Sequence, residues 1–297
     1  MNELVIEGRA VRITNPEKIL WPLLGIRKID YIQKLIELAP YILPHSRDRL
    51  LTAIRYPDGV DGKSFYQKNT PGYAPEWVER ADWNGNSYTL LNSLAVLIWM
   101  GNQAALEFHT AFNLCNNEGN PTSLVFDLDP SEGQGFEDVA EAALLIHETL
   151  VSLNINSYIK TSGATGLQIY IPVGARYDYD TARRVNTFFG SYFSSKYPER
   201  ITIERMVRNR GRKLYFDYLQ MWCGKTITMA YSPRAVQTAN VSAPVAWEEL
   251  KAGIKPEDFT LLNIKERLDK KGDLFQPLLD PKHIQNLDEF IKHIEKM

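Results

Sequence analysis

The chain has 297 residues, 44% of them hydrophobic and 24% charged, which is typical of a globular protein. Its 34 basic and 36 acidic residues leave a net charge of −2, which excludes a polybasic protein that binds nucleic acid through overall charge. Two cysteines exclude a disulfide framework, and no apolar run approaches the roughly 20 residues that span a bilayer. The first residues lack a secretory signal, so a cytoplasmic protein is expected.

The first predicted helix starts near residue 15. Residues 15–18 (NPEK) fit an Asn N-cap followed by proline at the first helical position. Apolar residues then recur at helical spacing, and Pro40 and Pro44 are expected to close this region.

Strand-like and helix-like patterns alternate through the rest of the chain. Strands are expected at residues 50–56, 64–68, 123–126, 157–160, 167–171 and 213–219, and helices at residues 90–100, 136–153 and 179–196. The last 60 or so residues are more helical in pattern and are expected to wrap around the rest. No flexible linker or repeat interrupts the pattern, so the fold class is expected to be α/β or α+β in one continuous domain.

Two aspartates end the predicted strand at residues 124–130 (LVFDLDP). Side chains two positions apart project from the same face of a strand, about 6.5–7 Å apart, so Asp127 and Asp129 can hold one divalent ion or two adjacent ions. Neighbouring carboxylates repel each other, and a bound cation removes that repulsion while it orients phosphate oxygens. The alternative is a solvated pair before a proline turn, and the pair alone does not decide between them.

A third aspartate lies in a later predicted strand, where residues 214–219 (LYFDYL) are otherwise apolar or aromatic. An unpaired carboxylate is costly to bury, so Asp217 needs either a metal ion or an ion pair. The arginines close enough in sequence for such a pair are Arg205, Arg208, Arg210 and Arg212. Taken together, the three aspartates favour the metal.

Two further stretches could contact phosphate. Residues 160–166 (KTSGATG) form a turn whose hydroxyl and N–H groups can cradle phosphate, although a plain glycine turn is the alternative. Residues 208–213 (RNRGRK) carry four positive charges, a pattern typical of a solvated loop. Beside a metal site, these charges would face phosphates.

In their order along the chain, these stretches resemble the polymerase domain of bacterial ligase D, in the archaeo-eukaryotic primase superfamily. The resemblance covers about residues 14–270. The matching stretches are residues 15–22 (NPEKILWP), 55–62 (RYPDGVDG), 64–68 (SFYQK), 124–130 (LVFDLDP), 160–166 (KTSGATG) and 216–220 (FDYLQ). The resemblance implies a primase-polymerase fold with a central mixed or antiparallel sheet flanked by helices. A single domain over residues 1–297 is expected, with residues 271–297 as a helical C-terminal extension.

The resemblance also implies an activity: template-dependent nucleotide addition at gaps or ends of DNA during nonhomologous end joining, with ribonucleotides favoured. Two Mn²⁺ or Mg²⁺ ions on Asp127, Asp129 and Asp217 would serve this nucleotidyltransferase, and nucleoside triphosphates would be its substrates. The expected partners are DNA with gaps, overhangs or double-strand breaks, a Ku-like end-binding protein and a separate ligase, because no ligase segment is evident in what looks like a stand-alone chain. A nucleoid-associated location follows, and no membrane partner is expected.

Further residues match family positions that surround the substrates. Around the incoming nucleotide these are His109, Lys160, Ser162, Arg210 and Arg234, with Gln168 in the place of a phosphate-facing histidine. Residues that bind a downstream 5′-phosphate match Asn15, Lys18 and Lys28, and a platform that stacks on template bases matches Phe65 and Tyr66. Without the resemblance, the histidine would be an ordinary core or surface residue and the lysines solvated surface.

The sequence departs from the family pattern at three places. Gln168 replaces the histidine, Met221 replaces an asparagine, and Thr110-Ala111 replaces Pro-Trp. Glutamine can donate a hydrogen bond but cannot carry charge, so weaker or rearranged phosphate binding is expected. Two alternatives stay open: a module that binds DNA ends at their 5′-phosphate with reduced or lost synthesis, and a primase that starts a chain without a primer.

Overall fold

A computed structural model describes residues 2–294 and 296, which form sixteen strands and seven α-helices. The strands are β1 (Asn2–Ile6), β2 (Arg9–Ile13), β3 (Ile19–Trp21), β4 (Ile26–Arg27), β5 (Leu50–Arg55), β6 (Phe65–Gln67), β7 (Arg80–Trp83), β8 (Asn86–Leu90), β9 (Ala105–Ala111), β10 (Ser123–Asp129), β11 (Tyr158–Thr161), β12 (Leu167–Pro172), β13 (Ile201–Thr202), β14 (Leu214–Phe216), β15 (Thr226–Thr228) and β16 (Pro244–Val245). The helices are α1 (Lys28–Ser46), α2 (Leu94–Asn102), α3 (Phe136–Ser152), α4 (Tyr179–Lys196), α5 (Trp247–Lys251), α6 (Ile264–Lys271) and α7 (Asp288–Ile294). The expected mixture of helices and strands is confirmed.

The chain divides into two compact units, each assembled from segments that are distant in sequence. The first unit comprises the described residues up to Asn116, together with Thr226–Ala243 and Phe259–Gly272. The second comprises Asn117–Lys225, Pro244–Asp258 and the described residues from Asp273 onward. Among the described residues, no helix has the length and apolar content needed to cross a bilayer.

The first unit contains an antiparallel sheet in the order β15-β9-β5-β8-β7, with β6 paired to the end of β5. The strands expected from the sequence do not include β7, β8, β9 or β15. Alternation along β9 places Glu107 and His109 on the same face, two residues apart. The hydroxyl of Tyr31, on α1, donates to the carbonyl oxygen of Ala105 at 2.7 Å and so ties this helix to β9.

The second unit contains a sheet in the order β13-β14-β10-β12-β11-β16, in which only the β13–β14 pair of the named strands is parallel. On β10, the Phe126 ring centroid lies 5.1 Å from that of Phe189 on α4 and 5.0 Å from that of Phe216 on β14. Because side chains alternate between the two faces of a strand, Asp127 and Asp129 project from the face opposite this aromatic cluster. One face of β10 therefore packs the core, and the other carries the carboxylates.

The predicted helix start at Asn15 is wrong. Asn15 has a φ of 48°, and the backbone N–H of Lys18 donates to its carbonyl oxygen at 3.0 Å, so these residues form a turn that leads into β3. The first helix starts at Lys28, where the Asp30 carboxylate accepts the N–H of Arg27 at 3.0 Å. Asparagine tolerates a left-handed backbone, which makes an Asn-Pro pair as suitable for a turn as for a helix start.

Pro40 and Pro44 lie inside α1 and do not end it, contrary to the sequence-based expectation. Each proline lacks the N–H that would bond to the carbonyl four residues earlier. Both prolines are exposed, and so is Ile36, whose carbonyl Pro40 leaves without a helical partner. Water can satisfy the freed carbonyls on this solvent-facing side, so the helix continues.

The turn between β11 and β12 lies directly against the end of β10. A Cβ atom added at Gly166 would lie 2.5 Å from the carbonyl oxygen of Leu128 and 3.4 Å from an Asp129 carboxylate oxygen. We expect Gly166→Ala to lower the free energy of unfolding by about 1–3 kcal/mol, because the backbone must move apart. Chemical denaturation measures this change. Gly119→Ala is the matched control because nothing lies within 4 Å of the methyl group that it would add, and equal stability of the two variants would contradict the close approach.

Candidate active site

The three predicted metal ligands come together on neighbouring strands of the second unit. β14 pairs with the end of β10, with Phe216 opposite Leu128, and Asp217 follows directly after β14. The backbone N–H of Asp217 donates to the carbonyl oxygen of Asp127 at 2.9 Å, which continues the register by one residue. One carboxylate oxygen from each of Asp127, Asp129 and Asp217 lies within 4.8 Å of the other two. Three hard oxygen ligands are thus gathered in one place.

Asp217 lies just beyond the strand in which the sequence analysis expects it, and its carboxylate is held by two donors. Oδ1 accepts the hydroxyl of Tyr215 at 3.2 Å and the backbone N–H of Leu219 at 3.1 Å. The guanidinium of Arg210 lies 3.6 Å from the centroid of the Tyr215 ring and donates to the carbonyl oxygen of Glu204 at 2.9 Å. Tyr215 therefore contacts both the third aspartate and one arginine of the basic loop.

The electrostatics of the cluster favour a bound cation. Burial and the neighbouring Asp129 carboxylate raise the pKa of Asp127, and burial and the Asp217 carboxylate raise the pKa of Asp129. Like charges this close oppose one another's ionisation. A divalent cation stabilises the ionised form of its carboxylate ligands, so the donor set fits a hard divalent ion.

Gln168 lies between the carboxylates and a buried lysine. It is paired in register with Asp127 on β10 and with Lys160 on β11. Its amide nitrogen donates to Oδ1 of Asp127 at 3.0 Å, and its amide oxygen accepts the ammonium of Lys160. The side chain that the sequence analysis places against phosphate therefore bonds two other predicted site residues.

The turn that contains Ser162 is ordered by its own hydrogen bonds. The Ser162 hydroxyl oxygen accepts the N–H of Ala164 at 3.2 Å and that of Gly166 at 3.0 Å. The N–H of Ser162 donates to the carbonyl oxygen of Gly166 at 2.9 Å. Three of the N–H groups in the stretch expected to cradle phosphate are thus bonded within the turn.

In the first unit, His109 lies beside a buried glutamate to which the sequence analysis assigns no role. Oε2 of Glu107 lies 3.1 Å from Nε2 of His109 and 3.2 Å from Nε of Arg234. Arg234 also donates to the hydroxyl of Thr228 at 2.6 Å. Burial alone would raise the pKa of Glu107, but the bond to His109 and the charge of Arg234 hold it below its usual range. The signal in the sequence is a glutamate two residues before the histidine in an apolar stretch.

The three residues predicted to bind a 5′-phosphate are close together in the first unit. The ammonium of Lys28 donates to the carbonyl oxygen of Thr14 at 2.7 Å. The backbone N–H of Lys28 donates to the carbonyl oxygen of Lys18 at 2.8 Å. Burial, with the charges of Lys18 and Arg55, lowers the pKa of Lys28. An anion would relieve this repulsion among three cations. The ammonium of Lys18 lies 2.7 Å from a carboxylate oxygen of Asp58, a contact that the sequence analysis missed.

The two aromatic residues of the predicted stacking platform are exposed on β6. The exposed fractions are 45% for Phe65 and 70% for Tyr66. The guanidinium of Arg55 lies 5.2 Å from the centroid of the Phe65 ring. Exposed rings beside a cation offer a surface on which bases can stack without sequence preference.

The predicted residues thus fall into separate groups within each unit. The second unit gathers Asp127, Asp129, Asp217, Lys160, Gln168, Ser162 and Arg210. The first unit holds one group with His109 and Arg234, a second with Asn15, Lys18 and Lys28, and the exposed pair Phe65 and Tyr66.

A mixed α/β fold that presents three clustered aspartates beside a basic loop and a serine-glycine turn defines a metal-dependent nucleotidyltransferase of the primase-polymerase class. Comparison with known proteins gives the particular family. Residues 27–275 match the LigD primase-polymerase domain, and the chain belongs to this family. The resemblance to the ligase D polymerase domain is therefore confirmed.

Individual relatives agree with this assignment. The chain is 36% identical over 263 residues to the bifunctional non-homologous end joining protein LigD of Bacillus subtilis, which covers 88% of this chain and 43% of that protein. It is 32% identical over 279 residues to the multifunctional LigD protein of Mycolicibacterium smegmatis, covering 90% of this chain and 36% of the relative. The chain therefore spans less than half the length of either.

A solved structure gives the same result for the fold. The polymerase domain from Mycobacterium tuberculosis ligase D, in complex with DNA, superposes with a TM-score of 0.84 at 29% sequence identity. The match covers 91% of this chain and 98% of that one. The expected primase-polymerase fold is thereby confirmed.

Glu107→Gln tests whether the buried glutamate holds His109 and Arg234 in place. We expect the free energy of unfolding at pH 7 to fall by about 2–3 kcal/mol, because His109 and Arg234 no longer face a buried negative charge. The pKa of Glu107 lies below its ordinary value of 4.5, so its stabilising effect is complete above that pH and is lost as pH falls through the lowered pKa. The difference in the free energy of unfolding between the wild type and Glu107→Gln should therefore become smaller as the pH is lowered.

Denaturant titration at several pH values measures this difference. Glu76→Gln is the matched control because Glu76 is an exposed glutamate of the same unit, and we expect its stability to follow that of the wild type. A Glu107→Gln variant that matches the wild type at pH 7 would contradict the arrangement.

Proposed function

We propose that this chain adds nucleotides to a primer strand, under the direction of a template, at gaps or ends of DNA during nonhomologous end joining. The observation that carries the proposal is the cluster of Asp127, Asp129 and Asp217 in a chain that belongs to the LigD primase-polymerase family. The relative from Mycobacterium tuberculosis was solved in complex with DNA, which supports DNA as the substrate here. The proposal includes an end-binding protein of the Ku kind and a separate ligase as partners, and a location at the nucleoid.

The carboxylate cluster supplies the chemistry of the proposed reaction. Mn²⁺ or Mg²⁺ ions bound there would lower the barrier to attack by the primer 3′-hydroxyl and offset the charge of the departing pyrophosphate. Asp127 and Asp129 present their carboxylates from one face of β10, and Tyr215 and Leu219 hold Asp217 in place before substrate arrives. The protein thus fixes the ligand positions in advance, which is the main source of catalysis in phosphoryl transfer.

Cationic and polar residues would bind the incoming nucleoside triphosphate. Arg210 carries a permanent charge and is anchored over Tyr215 by ring contact. In the first unit, Glu107 orients the side chains of His109 and Arg234, for which we propose contact with nucleotide on the basis of the family resemblance. Lys160, Gln168 and Ser162 complete the proposed set around the metal ligands.

Replacement of a metal ligand should abolish synthesis and leave DNA binding largely unchanged. We expect Asp127→Ala, Asp129→Ala and Asp217→Asn each to lower nucleotide addition by at least about a thousandfold, because transition-state charge loses its stabilisation. DNA affinity depends on phosphate contacts made elsewhere. Primer extension on a gapped duplex with Mn²⁺, compared between ribonucleotides and deoxyribonucleotides, measures the first quantity, and fluorescence anisotropy measures the second.

The same assay separates the proposed function from its alternatives. Wild-type protein that binds gapped DNA but adds no nucleotide with either metal would indicate a DNA-end binding module. Synthesis on a single strand that carries no primer would indicate a primase. Robust extension by all three aspartate variants would overturn the metal assignment.

The ion pair between Lys18 and Asp58 gives a test of the proposed 5′-phosphate site. The Asp58 carboxylate lies 2.7 Å from the Lys18 ammonium, so it competes with a bound phosphate for that charge. We expect Asp58→Asn to raise the preference for a 5′-phosphorylated gap over its 5′-hydroxyl twin by about three- to tenfold at low salt. Lys18→Ala should erase the preference.

Asp269→Asn is the matched control for the Asp58 variant, because Asp269 also pairs with a lysine, Lys265, on the surface of the first unit. We expect its preference to equal that of the wild type. Binding is measured by anisotropy on the two gapped duplexes. An unchanged preference in Asp58→Asn together with an unchanged preference in Lys18→Ala would place the phosphate elsewhere.

A further inference from the structure

Four side-chain positions form one row across the sheet of the second unit. Asp217 lies opposite Asp127 through its backbone bond, Asp127 is paired with Gln168, and Gln168 is paired with Lys160. Directly opposed residues on neighbouring strands project from the same face. The row therefore contains, in order, two carboxylates, one neutral carboxamide and one ammonium.

The carboxamide of Gln168 is bonded on both sides, and its two ends are not interchangeable. Its nitrogen can only donate and bonds to Oδ1 of Asp127 at 3.0 Å, whereas its oxygen can only accept and bonds to the ammonium of Lys160. Gln168 is 4% exposed and Lys160 is 0% exposed. Neither polar group can replace these bonds with water without leaving its place in the sheet.

The charge of Lys160 makes the intervening residue important. A buried ammonium needs acceptors, and its strongest attraction is to a carboxylate. The Asp127 carboxylate is the next charged group along the row, on the far side of Gln168. An ammonium that paired directly with Asp127 would neutralise the charge that a divalent cation requires from its ligand.

We propose that Gln168 is a positioning residue that fixes the orientation of the Asp127 carboxylate and separates it from the Lys160 ammonium, so that Asp127 remains a ligand for a divalent cation. The inference rests on the proposed function, since it concerns the same metal site. It differs from the phosphate contact expected from the sequence. A neutral imidazole offers the same arrangement, one N–H donor and one acceptor nitrogen on either side of a single carbon, so histidine can meet the same requirement at this position.

The test is Mn²⁺ binding in the absence of nucleotide and DNA, measured by isothermal titration calorimetry or by the electron paramagnetic resonance signal of free Mn²⁺. We expect Gln168→Leu to weaken Mn²⁺ binding about ten- to a hundredfold, the range found when a residue that orients a metal ligand is removed. Gln168→His should bind Mn²⁺ within about threefold of the wild type, because it restores both bonds. Circular dichroism confirms that each variant is folded.

The separating role is tested with a double-mutant cycle that includes Lys160→Met. Without the ammonium there is nothing to separate, so Gln168→Leu should cost less Mn²⁺ affinity when Lys160 is already methionine, by about threefold or more, and the loss that remains comes from the missing bond to Asp127. This comparison also covers the case in which Gln168→Leu alone fails to fold, because the double variant does not bury the Lys160 ammonium against a leucine side chain. A loss of the same size in both backgrounds would overturn the separating role, and no loss in a folded Gln168→Leu variant would overturn the whole inference.

The outcome is independent of whether the chain proves to be a polymerase. In one outcome the wild-type protein binds Mn²⁺ through Asp127, shown by loss of binding in Asp127→Ala, but adds no nucleotide. This would refute the proposed function, and the role of Gln168 would still be decided by the same Mn²⁺ measurement. Wild-type protein that extends primers while Gln168→Leu binds Mn²⁺ normally would refute the role of Gln168 alone. A Gln168→His variant that loses Mn²⁺ affinity while folded would also refute it.

Discussion

The repulsion among three carboxylates is the constraint on which the second unit depends. The pairing of β10 with β14 brings one carboxylate oxygen of each of Asp127, Asp129 and Asp217 within 4.8 Å of the other two. Burial and the neighbouring carboxylates raise the pKa of Asp127 and Asp129. A fold does not gather like charges in this way for stability, because the arrangement costs free energy until a cation binds. The sheet must therefore be rigid enough to hold the ligands together, and the aromatic packing of Phe126 on the other face of β10 supplies that rigidity.

Two further buried charges have identifiable partners. In the second unit the ammonium of Lys160 bonds to the amide oxygen of Gln168, and in the first unit the Glu107 carboxylate lies between His109 and Arg234. Such networks are costly to break because they leave one partner charged and buried. These networks also fix the orientation of their side chains. Phosphoryl transfer depends more on such positioning than on reactive groups of the protein. The same side chains thus serve the packing of the fold and the geometry of the site.

Features that depend on neighbours along the chain are predicted correctly from the sequence. The period of two in residues 124–130 places Asp127 and Asp129 on one face, and the helical spacing after residue 136 defines α3 almost to the residue. Prediction from the sequence failed where one local pattern is compatible with two structures. Asn15 followed by proline suits a turn as well as a helix start, and Pro40 and Pro44 lie inside α1 because their freed carbonyls face solvent. Local signals cannot choose between such outcomes, since the choice depends on which face the rest of the fold covers.

The amino-acid sequence is enough to predict the class of fold, the carboxylate pair on one strand and, through its ordered motifs, the family to which the chain belongs. Three contacts become visible only in the folded chain: Gln168 lies between Asp127 and Lys160, Glu107 contacts Arg234, and Asp58 contacts Lys18. For Gln168 the physical reason is strand register, and for the other two pairs it is the packing of loops and turns from distant parts of the chain. A shift of one residue turns a side chain to the opposite face, and register is set by pairing and packing across the whole sheet, which no short stretch of sequence contains.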